Sequence, residues 1–241
     1  LYRAVMARHL LRSLALLLLT ELTCAKPMLT YFGISGRGEV ARLYAHVGGL
    51  DFTDNTDTQG YKTKTPIGYL PALAHPEAGL YPNCSFAFGC LQESLAVERY
   101  IRELAPKFAP LTAKEKAADD MIAMIKEDLI HCEPGAVNAS AAPSVVTPLY
   151  DRYLTVLEND GYIPASGFVN GRDFPTGADL SLLVAIKSGY PYGKALRNAG
   201  YDTMRFPKVH ALVERTAAYS VVAKYLKSST TFYTEFSEQG V

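Results

Sequence analysis

Leu29-Thr30-Tyr31-Phe32, followed by Gly33-Ile34-Ser35-Gly36-Arg37-Gly38-Glu39-Val40-Ala41-Arg42-Leu43, decides how this chain folds. A threonine, two aromatics and a leucine in a row are strand formers, and the glycine-rich run after them turns the chain. Glu39 to Val47 then reads as a helix, because Val40, Leu43, Tyr44 and Val47 fall at the i, i+3, i+4, i+7 spacing of one buried face. Strand, tight turn and helix together put Tyr31 at the carboxyl end of the strand, beside a helix N-terminus. Open α/β sheets bind ligands there, since free backbone N–H groups and the helix dipole favour an anion. By itself Tyr31 also reads as a half-buried sheet tyrosine.

Further stretches carry signals of their own. In Gly68-Tyr69-Leu70-Pro71-Ala72-Leu73 an apolar residue precedes proline inside a strand-like run, which marks a strained turn. Leu91-Gln92-Glu93-Ser94-Leu95-Ala96-Val97-Glu98-Arg99-Tyr100-Ile101 opens a helix with Ser94 as a good N-cap. Leu95, Val97 and Ile101 then face inward, and Glu98 can pair with Arg102 at i, i+4. Phe174-Pro175-Thr176-Gly177-Ala178-Asp179-Leu180 holds a Thr-x-x-Asp capping box before an apolar helix. Thr112-Ala113-Lys114-Glu115 fits a second box, and Met121, Ile122, Ile125 and Leu129 make an apolar stripe after it.

These segments, in this order, resemble the cytosolic-type glutathione transferases. The match is closest to the sigma class, to which prostaglandin D synthase and S-crystallin-type proteins are related. That class carries Leu-Thr-Tyr-Phe in its first strand and Gly-Arg-Ala-Glu at its next helix, where this chain has Gly36-Arg37-Gly38-Glu39. The resemblance implies a thioredoxin-like α/β domain over 26–105, an all-helical domain over 111–241, and Pro106 to Pro110 as linker. It implies that the Tyr31 hydroxyl donates a hydrogen bond to the sulfur of glutathione, which favours the thiolate and lowers the thiol pKa. Pro71 is then a cis proline that frees the backbone of Leu70 to pair with the cysteinyl unit. Glu93 and Ser94 hold the γ-glutamyl group, with Arg37 beside them. Lys62, with Lys64 as substitute, meets the glycyl carboxylate. Asp128 aligns with an aspartate that reaches across a homodimer, although a solvent-facing Asp is an equal reading. Glutathione is thus expected as co-substrate, with no further cofactor, beside a small hydrophobic electrophile.

Two whole stretches of this chain depart further from that pattern. The polar stretch 55–67, which reads as a mobile loop, has no Trp; the sigma enzymes place one against the glycyl end. An insertion spans 74–90 where a short hairpin is expected, and it is expected close to the glutathione pocket.

Lysines plus arginines balance aspartates plus glutamates, 24 against 24, so no global field draws the chain to nucleic acid or an anionic membrane. Arg8, His9 and Arg12 precede Leu14-Ala15-Leu16-Leu17-Leu18-Leu19, and Thr23-Cys24-Ala25 follows with small residues. That is the build of a signal peptide over 1–25, too short to span a bilayer, and it directs the chain to the secretory pathway. An organelle transit segment or a cytoplasmic location is the alternative. Cys84 and Cys90 can close a small disulfide ring in an oxidising compartment, while Cys132 stands alone. No histidine pair has i, i+4 spacing, so no metal site is expected. Two rival readings remain, a non-catalytic transferase-like structural or binding protein and a thiol oxidoreductase. No cysteine near the first turn supports the latter.

Overall fold

The computed structural model describes residues 26–76 and 79–233. The expected signal peptide over 1–25, together with Glu77 and Ala78 of the insertion, lies outside the described residues. Strand β1 (Met28–Thr30) turns through a 3-10 segment into helix α1 (Glu39–Gly48), and β2 (Thr53–Asn55) follows. A one-turn helix α2 (Tyr61–Lys64) leads to β3 (Ala72–Ala74), β4 (Leu91–Gln92) and α3 (Ser94–Leu104). The strands form one mixed sheet in the order β2-β1-β3-β4, with β1 parallel to β2 and antiparallel to β3. The remainder of the described chain is helical: α4 (Ala113–Leu129), α5 (Glu133–Val137), α6 (Ala142–Asn159), α7 (Gly177–Lys187), α8 (Tyr192–Ala199), α9 (Pro207–Ala218), α10 (Ser220–Ser228) and α11 (Thr230–Tyr233).

Periodicity works as expected in α1, where Val40, Leu43, Tyr44 and Val47 are all buried. Helix α7 is buried on every side from Gly177 to Ile186, the mark of a helix at the centre of a bundle. Its capping box forms: Asp179 accepts from the Thr176 amide at 2.8 Å and from Val169 N–H at 3.0 Å. Asp119 of α4 completes the cap, accepting from Ala178 N–H at 2.9 Å and the Thr176 hydroxyl at 2.7 Å. The box at Thr112 and Glu115 forms as well.

Several local expectations change. The stretch 55–67 is not all loop, because α2 occupies its middle. Residues 106–110 form no loose connector: Phe108 is buried and packs edge-on against Tyr44 and Phe174, pinning the crossing between the halves. The small, polar, proline-bearing stretch from Ala136 to Pro148 reads as a loop between helices, yet only Asn138–Ala141 separate α5 from α6, since Pro143 sits in the opening turn of α6, where a missing N–H costs nothing. Pro148 is carried inside that helix. In α4, Ile122 and Leu129 face the core, whereas Met121 is exposed.

Candidate functional site

Sheet register gathers the expected site at one end of the molecule. Thr30 pairs with Ala72, and Ala72 with Gln92, so Tyr31, Pro71 and Glu93 follow one another across the same strand ends. Because β2 runs parallel to β1, the chain that leaves Asn55 towards α2 starts from that end too. The insertion begins at Ala74, opposite Met28, and therefore at the far end of the sheet. The expectation that it borders the glutathione pocket is corrected accordingly; only its returning limb, at Phe88, reaches α2, where its N–H bonds the Lys64 carbonyl at 3.3 Å.

Tyr31 prolongs β1 by one bond, its N–H donating to Asn55 O at 3.1 Å. Its ring is 6% exposed and lies on Gly38, where a Cβ would come within 2.5 Å of Tyr31 Cδ1. The hydroxyl accepts the Arg37 N–H at 2.9 Å, while its own proton has no acceptor among the described residues. Burial raises the Tyr31 pKa, opposed in part by the Arg37 amide and by the charges of Arg37, Arg42 and Lys126. The phenol therefore stays protonated and can donate to an anion. A helical-half contact closes the turn, as Gly36 N–H and Ser35 Oγ both donate to Tyr190 O at 2.9 and 3.0 Å.

Arg42 holds that turn in place, a role the sequence did not disclose. Its buried guanidinium donates to Phe32 O at 3.0 Å and to Ile34 O at 2.9 Å, on either side of Gly33. It also pairs with Glu39 at 3.1 Å and Asp54 at 2.8 Å. Glu39 in turn accepts from Tyr225 and Thr231 near the end of the described chain.

The Leu70–Pro71 bond is cis, as expected, and the Leu70 backbone makes no hydrogen bond among the described residues. Gln92, another residue not singled out from sequence, braces the approach to it. Its amide accepts from Ile67 N–H at 2.9 Å and donates to Tyr69 O at 2.6 Å. Glu93 is exposed and has φ +70°, a left-handed conformation that costs a non-glycine residue about 1–3 kcal/mol and is concentrated at functional sites. Here the expected capping is corrected: Glu93 is the N-cap residue and Ser94 the first residue of α3. The strand enters the helix without a connecting turn, and the Ser94 hydroxyl has no hydrogen-bond partner among the described residues.

The two lysines of α2 divide. Lys64 sits over the Phe88 ring, 5.0 Å from its centre, whereas Lys62 is exposed and makes no ion pair or hydrogen bond among the described residues. Glu98 does not pair with Arg102, because its side chain is buried against α4. It meets Lys126 instead, and Arg102 turns to Asp120 at 2.8 Å. Lys126 also contacts Glu127 at 2.9 Å, and Glu127 holds the Arg37 guanidinium at 2.9 Å. Burial pushes the Glu98 carboxyl up to about 7 despite Lys126. Asp128 is exposed and accepts from Tyr153 at 2.6 Å; no described contact joins it to Tyr31.

A small mixed sheet with a cis proline opposite a strand-end tyrosine, followed by an all-helical half around one fully buried helix, is the glutathione transferase fold. No family model matches the chain. It is 28% identical over 170 residues to Glutathione S-transferase 1 of Ascaris suum, covering 66% of this chain and 78% of that protein. Among solved structures it is similar to monomeric Na-GST-3, a glutathione S-transferase of the hookworm Necator americanus, with TM-score 0.65 and 22% identity over 84% of this chain and 97% of that one. It is also similar to rat hPGDS complexed with a quinoline, with TM-score 0.65 and 18% identity over 85% and 97%. No helix among the described residues is long and apolar enough to cross a membrane.

Proposed function

We propose that this protein is a glutathione transferase that joins reduced glutathione to small hydrophobic electrophiles. The observation that carries the reading is the unclaimed proton of the buried Tyr31 hydroxyl, whose oxygen is already held by the Arg37 amide. A donor fixed in that way stabilises a thiolate without reorganising as charge develops. Around it, the free Leu70 backbone suits the cysteinyl unit, Glu93 and Ser94 the γ-glutamyl end, and Lys62 the glycyl carboxylate. Tyr31→Phe tests this directly. Conjugation of glutathione to an aryl halide should fall by about tenfold or more, a loss of about 1.4 kcal/mol or above in transition-state stabilisation. Equal rates for both proteins would refute the role of Tyr31. Glutathione binding without turnover in either would favour a carrier or structural protein.

The working unit in this reading is a homodimer. Met121, Met124 and Asp128 lie at i, i+3, i+7 on one exposed face of α4. That arrangement supports Asp128 as a residue facing a second copy. Light scattering should give twice the monomer mass, and a monomer with full activity would refute it. The Cys84–Cys90 disulfide supports residence in an oxidising compartment.

A further inference from the structure

Helix α2 is a single turn with no buried residue, and an isolated turn of helix does not hold its shape in water. Its anchors to the rest of the molecule lie at its two ends. Tyr61 meets Phe32 edge-on, 5.5 Å between ring centres. At the other end Phe88 does two things at once. Its N–H donates to Lys64 O at 3.3 Å, and its ring lies under the Lys64 ammonium at 5.0 Å. Phe88 itself is fixed from behind. It is 7% exposed and lies within the ring closed by Cys84 and Cys90. Gly89 next to it has φ +94° and touches β3 so closely that a Cβ would come 2.1 Å from Leu73 O. Leu73 belongs to the core. A line of contacts thus runs from β3 through the disulfide ring to Phe88, to Lys64, and so to the helix that presents Lys62. With Lys64 committed to Phe88, Lys62 is the lysine of α2 without a partner among the described residues.

We propose that Phe88, locked in the Cys84–Cys90 ring, is a positioning residue for the thiol substrate, holding α2 so that Lys62 meets the glycyl carboxylate of glutathione. The inference rests on the transferase reading and assigns a role to the insertion. The ring acts at a distance from the sulfur chemistry. Its loss therefore weakens binding of the tripeptide and leaves the chemical step alone.

The test compares glutathione with γ-glutamylcysteine, which has the same thiol and γ-glutamyl group but lacks the glycine. In the full chain, Phe88→Ala and the pair Cys84→Ser/Cys90→Ser should each raise KM for glutathione about tenfold with kcat nearly unchanged, the pattern of lost uniform binding. KM for γ-glutamylcysteine should not move. Phe88→Leu keeps the apolar volume and loses the ring face, so it reads the same effect if the alanine variant folds poorly. Lys62→Met should reproduce the pattern, and combining it with Phe88→Ala should add little, since both remove one interaction. Equal KM increases for the two thiols would overturn the proposal, as would losses from Lys62→Met and Phe88→Ala that multiply. If the unaltered protein neither binds nor turns over glutathione, the transferase reading falls and this inference with it. Turnover with unchanged thiol discrimination in the variants overturns this inference alone.

Discussion

Replacing Arg42 with methionine removes the clamp on the turn behind Tyr31, and the structure sets the size of the effect. The guanidinium makes four bonds, to Phe32 O, Ile34 O, Glu39 and Asp54, with its side chain fully buried. The Asp54 side chain is 33% exposed and can turn to water, so its loss matters least. Glu39 has no such exit: its side chain is 0% exposed. Removing one partner of a buried pair costs about 3–5 kcal/mol. The two loop carbonyls that lose a donor fall within that figure at about 1 kcal/mol each. For a domain of this size the midpoint should drop on the order of 10 °C. The cost should also depend on pH. Burial already holds the Glu39 carboxyl above its ordinary value, with Arg42 the main opposing influence. Without Arg42 the folded state keeps a proton that the unfolded chain releases, so the deficit should be larger near about pH 8 than near about pH 5. Urea unfolding followed by far-ultraviolet circular dichroism is the assay, because the chain has no tryptophan to report by fluorescence. Arg42→Met/Glu39→Gln should recover part of the loss. A deficit below about 1 kcal/mol, or one identical at both pH values, would refute the clamp, since a broken buried pair costs several times more.

Three further outcomes follow from the same neighbourhood. Gly38→Ala places a methyl group 2.5 Å from the Tyr31 ring, so it should cost about 1–3 kcal/mol in stability and depress turnover; an unaffected enzyme would show that the ring lies elsewhere. Lys126→Met strands Glu98 and should destabilise by about 3–5 kcal/mol, most of it restored by adding Glu98→Leu, and a double variant no better than the single would refute the pairing. Because burial holds the Glu98 carboxyl at about 7, above the ordinary carboxylate range, its contribution is full in acid and is lost as pH rises through about 7. Glu98→Gln should therefore flatten the stability profile across that window, as measured by unfolding at each pH.

What the sequence disclosed was what neighbours in the chain decide. Tyr31 follows from a strand and a glycine turn, the Leu70–Pro71 bend from proline chemistry, and the α7 cap from a threonine three residues before an aspartate. What it concealed depends on distant segments. Nothing near Arg42 announces that Asp54 and two loop carbonyls converge on it. Glu98 had a plausible partner one turn away, yet burial against α4 favoured Lys126, 28 residues further on. The insertion was misplaced because its position follows from the direction of β3, which only pairing with β1 reveals.

The carboxylate of Glu39 also constrains how the molecule is made. It is bonded by Tyr225 and Thr231, 186 and 192 residues further along the chain. On the ribosome the strand, turn and first helix emerge well before α10 and α11, so the buried acid at the base of that first helix lacks two of its partners until those helices have been synthesised. The corner around Tyr31 is thus completed by residues translated long after it, so a chain released before Tyr225 carries every expected site residue without the closure that anchors them.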